Sequence, residues 1–495
     1  MNDYYQPLNL DPEIYIGQFI LTKNCDSIPE SWNRYEKGPW FLGILRLPVL
    51  VIENEIEQRI GWCIGYPLNH KDLWAEKIVI RSQDSKSIDM NAVENFYEHT
   101  GGRYILVLLT EKEEKLFLDP AGSLGAVFST TESTVASTPT LMNKAHVWDK
   151  ELIKTLNMPD SGLWFPSGLT PKKGVRRLLP NHCLDLDDWC VNRHWPKSSS
   201  DLAAKEDPQR CVSTIISCLK KSIDIITKHH PVQLSLTAGM DSRMLLACAR
   251  ENLHRAVFFT FADKKEPIDM HIASMLARRF GLNHAFLPVQ NASEEEMLRW
   301  LFITGHSASG NIWKMHKGLQ GYDRKRVLLP GMGGEVGRSY YWRDGDKEDM
   351  PLSAEKLLLR CRLPRQARIL RDTELWLAEL SGFNAFMILD LFYVEQRLGC
   401  WAAPLHYCNT ISLFELSPFN HRRIFRSMMR LPYEYRRRKE LAYDICRNSW
   451  PELLELPFNK FIGFKNYVYK TTKYITKTRR SSVNIAKRFV NKFVK

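Results

Sequence analysis

VQLSLTAGMDSRMLLACAR, from Val232 to Arg250, is the stretch that decides the fold. Its first five residues alternate between apolar and polar side chains, which predicts a short buried strand. Small residues form a tight turn from Thr237 to Ser242, and strong helix formers follow. A strand, a small-residue loop and a helix N-terminus make an anion cradle, because free backbone N–H groups and the positive helix end point at one spot.

The side chains of this loop extend the prediction from shape to chemistry. Thr237 and Ser242 can donate hydroxyl hydrogen bonds, and Asp241 supplies the hard oxygen ligand that Mg²⁺ prefers. The chain contains no G-x-x-x-x-G-K-[ST] sequence, so this is not a Walker A loop. The alternative is an ordinary strand–turn–helix corner capped by Asp or Ser.

The loop resembles the pyrophosphate loop, S-G-G-x-D-S, of enzymes that cleave ATP between the α- and β-phosphates. Gly239, Asp241 and Ser242 match that motif, whereas Thr237 and Ala238 stand where the family usually has Ser and Gly. The motif is short and carries a real false-positive risk, so the segments that follow it decide its meaning.

Three further segments follow in a family-like order. An apolar strand, 258–261, precedes a helix from Asp269 to Phe280, which Gly281 closes at a C-cap position, and then His284. A third strand, 326–330, leads into a glycine-rich loop that ends at Glu335. The last segment, 414–423, loosely matches E-x-R-x-P-F-L-D-H-R, and Lys439 follows it. Over about residues 205–460 the chain is similar to the synthetase domain of asparagine synthetases, β-lactam synthetases and lasso-peptide cyclases.

This resemblance implies an α/β protein with a parallel-sheet, Rossmann-like PP-loop domain that uses ATP and Mg²⁺. Asp241 and Glu335 would hold the metal and act in catalysis. Lys439 would offset negative charge that develops on the α-phosphate; the alternative is that Lys439 belongs to a solvated basic cluster. The residues expected to bind ATP or pyrophosphate are Leu236, Thr237, Ala238, Gly239, Met240, Asp241, Ser242, Phe261 and Gly331.

The N-terminal part predicts an α+β sandwich. Residues 102–109 and 115–122 form a strand pair joined by a charged turn, and a short strand follows at 125–128. This pattern resembles the glutaminase domain of glutamine-dependent asparagine synthetases, whose nucleophile is an N-terminal cysteine. Position 2 is Asn2 and the first cysteine is Cys25, so we expect a degenerate domain without glutaminase activity. The expected domains are 1–200, 205–460 and a basic tail, 461–495.

The expected function is that of an AMP-forming carbon–nitrogen ligase. It would adenylate a small-molecule or peptide carboxylate and pass the acyl group to an amine or ammonia. Met332 stands where the family has a Glu or Tyr that takes part in amide formation, and a thioether cannot move a proton. Another group, Glu335 or Tyr340, would then do that work. Leu416 and His421 also depart from the family and leave the acceptor pocket open.

Two other classes compete with the ligase. A non-catalytic nucleotide-binding relative is consistent with the altered loop residues and Met332. A serine hydrolase is hinted at by the near G-x-S-x-G sequence around Ser307, although its closing glycine comes one residue late. Gly331, Gly333 and Gly337 do not fit a dinucleotide fingerprint, since the third glycine is also late.

The charge of the chain is concentrated at its end. The formal net charge is +13, and the segment 465–495 holds ten Lys or Arg and no Asp or Glu. We therefore expect no specific nucleic-acid partner. The tail is either a solvated terminus or a weak contact for a membrane surface, an acidic partner or RNA. Eleven scattered cysteines without a C-x-x-C pair, no signal-peptide pattern and no long apolar run favour a cytoplasmic protein.

Overall fold

The computed structural model describes residues 12–69, 77–80, 86–143, 145–203, 207–307, 324–408, 414–464, 466, 467, 469 and 471. It is a mixed α/β protein that combines a two-sheet sandwich with a parallel sheet, which confirms the predicted fold class. Nearly all of the predicted basic tail, 461–495, lies outside the described residues.

The strands, in chain order, are β1 (Gln18–Thr22), β2 (Asn33–Lys37), β3 (Trp40–Leu45), β4 (Val49–Glu53), β5 (Arg59–Asn69), β6 (Lys77–Val79), β7 (Thr100–Leu109), β8 (Glu114–Leu118), β9 (Val127–Ser129), β10 (Thr134–Ala136), β11 (Arg176–Arg177), β12 (His182–Asp185), β13 (Val191–Arg193), β14 (Val232–Ser235), β15 (Ala256–Phe261), β16 (His284–Leu287) and β17 (Val327–Leu329). The α-helices are α1 (Met90–His99), α2 (Lys150–Thr155), α3 (Ser200–Ala203), α4 (Pro208–His229), α5 (Met240–Cys248), α6 (Pro267–Phe280), α7 (Glu294–Ile303), α8 (Ala354–Cys361), α9 (Ala367–Ala378), α10 (Ala385–Phe392), α11 (Arg422–Arg430), α12 (Tyr433–Arg437) and α13 (Glu440–Ser449).

Two sheets form the N-terminal sandwich. One has the order β11-β9-β10-β1-β3-β2, and the other has the order β13-β12-β8-β7-β5-β4-β6. Their facing sides share one apolar core, in which Phe19 and Leu42 of the first sheet meet Trp62, Val107 and Leu116 of the second. The predicted strand pair is confirmed as antiparallel β7 and β8. Alternating apolar residues bury one face of each sheet, and that burial holds the layers together.

The parallel sheet follows the order β16-β15-β14-β17. The chain runs from β14 through α5 to β15 and through α6 to β16, and β17 then adds to the other side of β14. This reversal creates a topological switch point, and open α/β sheets bind ligands at the carboxyl ends of strands beside such a point. The predicted helix after Asp269 is confirmed as α6, which ends at Gly281 in the left-handed conformation.

The apolar stretch from Ala385 to Val394 forms buried helix. It forms α10, whose eight residues are all buried, and continues into a π-helix, Tyr393–Ala402. Among the described residues, no helix combines the length and the apolar character that crossing a membrane requires.

Polar networks join the sandwich to the rest of the chain. The Asn420 side chain donates to Asp119 Oδ1 (2.7 Å) and to the carbonyl oxygen of Gly102 (2.6 Å). The Glu395 side chain is fully buried and accepts hydrogen bonds from Arg193 (2.6 and 2.9 Å) and Asn181 (2.9 Å) of the sandwich. Each buried carboxylate thus accepts hydrogen bonds, as a stable interior requires.

Candidate functional site

Two loops predicted to bind the same ligand meet at the switch point. One loop links β14 to α5 and carries Asp241, and the other follows β17 and contains a short 3-10 helix, Gly334–Arg338. A Cβ atom on Gly334 would lie 2.7 Å from Oδ1 of Asp241, and one on Gly331 would lie 3.1 Å from the Asp241 Cβ. Glycine at these two positions therefore allows the loops to approach each other closely.

Arg338 lies between the two carboxylates predicted to hold a metal. Its Nε and Nη2 donate to Oδ1 and Oδ2 of Asp241 at 3.1 and 2.6 Å. The same Nη2 is 3.6 Å from Oε1 of Glu335. Asp241 and Glu335 are thus brought together, and a guanidinium holds both of them.

The pKa of the Asp241 carboxyl is strongly shifted and governs the electrostatics of the group formed by Asp241, Glu335 and Arg338. Burial raises the pKa of its carboxyl, the nearby charge of Glu335 raises it further, and hydrogen bonds from Arg338 oppose both effects, so the pKa is about 6. Tyr393 shares this environment: burial raises the pKa of its hydroxyl well above the usual value, and the nearby carboxylate of Glu335 raises it further. Two carboxylates with one guanidinium leave a negative excess, which is the arrangement that attracts a further cation.

Hydrogen bonds within the Thr237–Ser242 loop fix its shape. The hydroxyls of Thr237 and Ser242 lie 2.7 Å apart, and the Gly239 amide donates to Thr237 Oγ1 at 3.0 Å. The Ala238 amide donates to Oδ1 of Asp269 at 2.9 Å. Asp269 was aligned with the family motif by sequence, and its structural role is to hold this loop.

The remaining predicted nucleotide-binding residues are spread along the same edge. Leu236 is buried, and its carbonyl oxygen accepts a hydrogen bond from Thr260 Oγ1 at 2.6 Å. His284 lies 2.8 Å from that same hydroxyl, so it braces β15. Met240 is the first residue of α5, and Phe261 is half-buried at the end of β15.

Lys439 stands apart from the carboxylates. It lies at the left-handed turn that begins α13 and is exposed, and within the described part of the chain its ammonium has no ion-pair partner. Leu441, two residues further on, is close to Gly337 of the Glu335 loop, because a Cβ on that glycine would lie 2.2 Å from Leu441 Cδ2. Lys439 therefore lies near the loop, without a contact to Asp241 or Glu335.

Arg436 belongs to the basic run before Lys439, yet it is fully buried. Its guanidinium forms two bonds to Asp390, at 2.6 and 2.7 Å, and donates to the carbonyl oxygen of Val336 at 2.5 Å. The ion pair thereby ties the Glu335 loop to α10. In the sequence, the basic residues before Lys439 look like one solvated cluster. Only the tertiary contact with Asp390 distinguishes Arg436 from its neighbours.

The donor set limits the kinds of metal site that are feasible. In the described ranges, no group of three or more His, Cys, Asp or Glu side chains could hold a metal ion. Asp241 and Glu335 provide two hard oxygen donors, which suit Mg²⁺ when oxygens of a bound phosphate or water complete the coordination. The residues fit that metal only if Arg338 releases Asp241.

The competing motifs occupy less suitable places. Ser307 is buried, and its hydroxyl donates to the Gly305 carbonyl oxygen at 3.2 Å; the rest of that motif, from 308 to 310, lies outside the described residues. The loop after β17 enters a five-residue 3-10 helix, which is too short for a dinucleotide-binding helix. Cys25 begins a short surface helix and is partly exposed.

Sequence reasoning missed Arg338, Tyr393 and Arg436. Arg338 had a local signal, since it lies three residues after Glu335 on a short loop. Tyr393 had none, because it reaches Glu335 from the π-helix.

No protein-family model and no curated protein matches this sequence. Among solved structures, the chain is similar to the structure of the allosteric regulatory enzyme of purine biosynthesis. The two chains are 10% identical, the similarity covers 73% of this chain and 75% of that chain, and the TM-score is 0.21. A likeness of this size carries no argument about activity.

Proposed function

We propose that the protein is an ATP-dependent, amide-bond-forming ligase of the asparagine synthetase type, without glutaminase activity of its own. One observation carries the proposal: two strand-end loops meet at the switch point and bring Asp241 and Glu335 to one guanidinium nitrogen. Paired carboxylates beside a helix N-terminus suit a nucleotide phosphate and its magnesium ion.

Each loop would have a separate task. Backbone amides at the start of α5 and the hydroxyl of Ser242 would bind the β- and γ-phosphates that leave as pyrophosphate. Asp241 and Glu335 would hold Mg²⁺, which when bound neutralises phosphate charge. Arg338 would then turn from the carboxylates toward phosphate oxygens, which a planar guanidinium binds in bidentate fashion.

The first reaction joins the substrate to AMP. A carboxylate oxygen of the substrate attacks the α-phosphorus of ATP, and the bond to the β-phosphate oxygen breaks, so pyrophosphate leaves with that electron pair. Lys439 is the proposed cation for the charge that develops on the α-phosphate, since it is exposed and unpaired near the Glu335 loop. Its ammonium must move toward the nucleotide to act.

The second reaction forms the amide. An amine nitrogen attacks the acyl carbon, AMP leaves, and the nitrogen loses a proton. Met332 cannot accept that proton, so we assign the task to the carboxylate of Glu335, which lies near the Tyr393 hydroxyl. The amine would come from the substrate itself or as free ammonia. We place this activity in the cytoplasm.

A second candidate is a nucleotide-binding relative that does no chemistry. The favouring observation is that Arg338 already fills the space between the carboxylates, while the Ala238 and Gly239 amides bond within the protein. Such a site could hold a nucleotide without arranging it for attack.

Pyrophosphate release from Mg²⁺-ATP with a panel of carboxylates separates these candidates. The wild type is compared with Asp241→Asn and with Asp187→Asn, an exposed carboxylate of the sandwich that serves as the matched control. The ligase predicts carboxylate-dependent pyrophosphate and AMP, lost in Asp241→Asn and kept in the control. Nucleotide binding without turnover would support the non-catalytic relative, and formation of ADP and phosphate would overturn the assignment of the loop.

A further inference from the structure

A cavity of about 440 Å³ opens beside the candidate site, immediately after the Glu335 loop. Its wall contains four arginines and several aromatic rings, and none of its lining residues is acidic. The lining residues used below are Trp164, Tyr340, Arg343, Arg360, Arg362 and Arg397. The volume is in the range of small-molecule pockets, about 300 to 1,000 Å³.

The charges of this wall are unevenly neutralised. Arg360 is paired with Asp346 through bonds of 2.7 and 2.8 Å. Arg343, Arg362 and Arg397 have no carboxylate within ion-pair distance in the part of the chain that the structure describes. Three unpaired guanidinium groups around one cavity create a positive potential that favours an anion.

Arg397 is the most organised of these groups. Its guanidinium stacks 4.1 Å from the Trp401 ring and 5.5 Å from each of the Trp164 and Tyr340 rings. Stacking fixes the plane of the group and leaves its N–H edges for an oxyanion in that plane.

The π-helix connects this cavity to the carboxylates. Tyr393, at its start, lies near Glu335, and Arg397 lies four residues further along. The Tyr393 ring is 5.1 Å from the ring of Tyr340, which is 42% exposed and can stack on a ligand. The rings of Tyr340 and Tyr393 therefore connect a molecule in the cavity to Glu335.

We propose that this cavity binds a second anionic group of the acyl substrate, a phosphate or an additional carboxylate, while a separate carboxylate of the same molecule is adenylated. That the bound anion belongs to the acyl substrate rests on the proposed ligase function, whereas the anion site itself depends only on the cavity. The substrate class is then a carboxylic acid that carries a remote, multiply charged group.

Anion binding is tested without ATP on the full chain, using tryptophan fluorescence as the readout because Trp164 lines the cavity. The probes are inorganic phosphate and tricarballylate, which separate the phosphate and polycarboxylate sources. We expect saturable binding of one probe, weakened about tenfold or more in Arg397→Met, which keeps an apolar stem but removes the charge. Arg343→Gln is expected to weaken binding in the same direction. Arg365→Gln, an exposed arginine outside the cavity, should change the affinity by less than about twofold.

Each outcome decides between the two proposals. No saturable binding, or equal weakening in the Arg365 control, would overturn the anion site. Competition between the probe and Mg²⁺-ATP would also overturn it, because the cavity would then bind nucleotide phosphates. Probe binding that depends on Arg397, with no pyrophosphate released from any carboxylate, would leave the anion site standing and overturn the ligase alone.

Discussion

The ionised carboxylate of Asp241 destabilises the folded protein. Burial and the charge of Glu335 raise its pKa from an ordinary value of 3.8 to about 6, against the opposing effect of Arg338. Since one pH unit of pKa corresponds to about 1.4 kcal/mol, the ionised carboxylate lowers the free energy of unfolding by about 3 kcal/mol. Asp241→Asn removes the charge and keeps the shape, so we expect a more stable and inactive protein at pH 8.

The pH dependence of this effect has a definite sign. The folded state binds the Asp241 proton more tightly than the unfolded state, so stability falls as the pH rises from about 4 to 6 and is level above that. About 1.4 kcal/mol of the loss falls between pH 5 and pH 8. The stability advantage of Asp241→Asn over the wild type should grow by that amount over the same interval.

Urea unfolding at pH 5 and pH 8 measures this change. Asp346→Asn is the control: burial raises the pKa of Asp346, but hydrogen bonds and the charge of Arg360 outweigh it, and the pKa lies below its usual value. Its difference from the wild type should therefore be the same at both pH values. An advantage of Asp241→Asn that stays constant or shrinks toward pH 8 would refute the account of a buried, repelled carboxylate.

Three further substitutions probe the surroundings of the site. Asn420→Ala should lower the free energy of unfolding by about 2 to 3 kcal/mol, measured in urea, because it removes one donor to the buried Asp119 carboxylate and the donor to the Gly102 carbonyl oxygen. Arg436→Met should cost about 3 to 5 kcal/mol in the same assay, and adding Asp390→Leu should recover most of the loss, since the buried charge is then gone. Gly334→Ala should weaken Mg²⁺-ATP binding about tenfold in calorimetry with unchanged circular dichroism, because its Cβ would press on a loop carboxylate 2.7 Å away; unchanged affinity would contradict the close approach.

The sequence was sufficient for elements with local signals. The alternating residues before Thr237 and the helix formers after Ser242 gave β14 and α5, and Gly281 marked the end of α6. The apolar run at 326–330 and the glycine-rich segment after it likewise predicted β17 and the loop that carries Glu335. These signals depend on neighbours within a few residues, which a single sequence displays directly.

Contacts between residues far apart in the chain could not be predicted from the sequence. Asn420 meets Asp119 across 301 positions of the chain, and no spacing rule connects them. Arg436 is buried because it forms an ion pair with Asp390 on another helix. Its neighbours in the chain are basic and make it resemble a solvated residue. Arg397 lies on a π-helix and meets Trp164 and Tyr340 from distant parts of the chain, which no local pattern indicates.

The buried carboxylate of Glu395 has a consequence for how freely the two halves of this protein can be separated. Its charge is neutralised by Arg193 from the sandwich, while its own π-helix supplies Tyr393 and Arg397 to the site and the cavity. A gene that lost the first 200 codons would strand an unpaired charge directly behind those two side chains. The sandwich therefore has a structural task, the neutralisation of this charge, whatever chemistry of its own it performs.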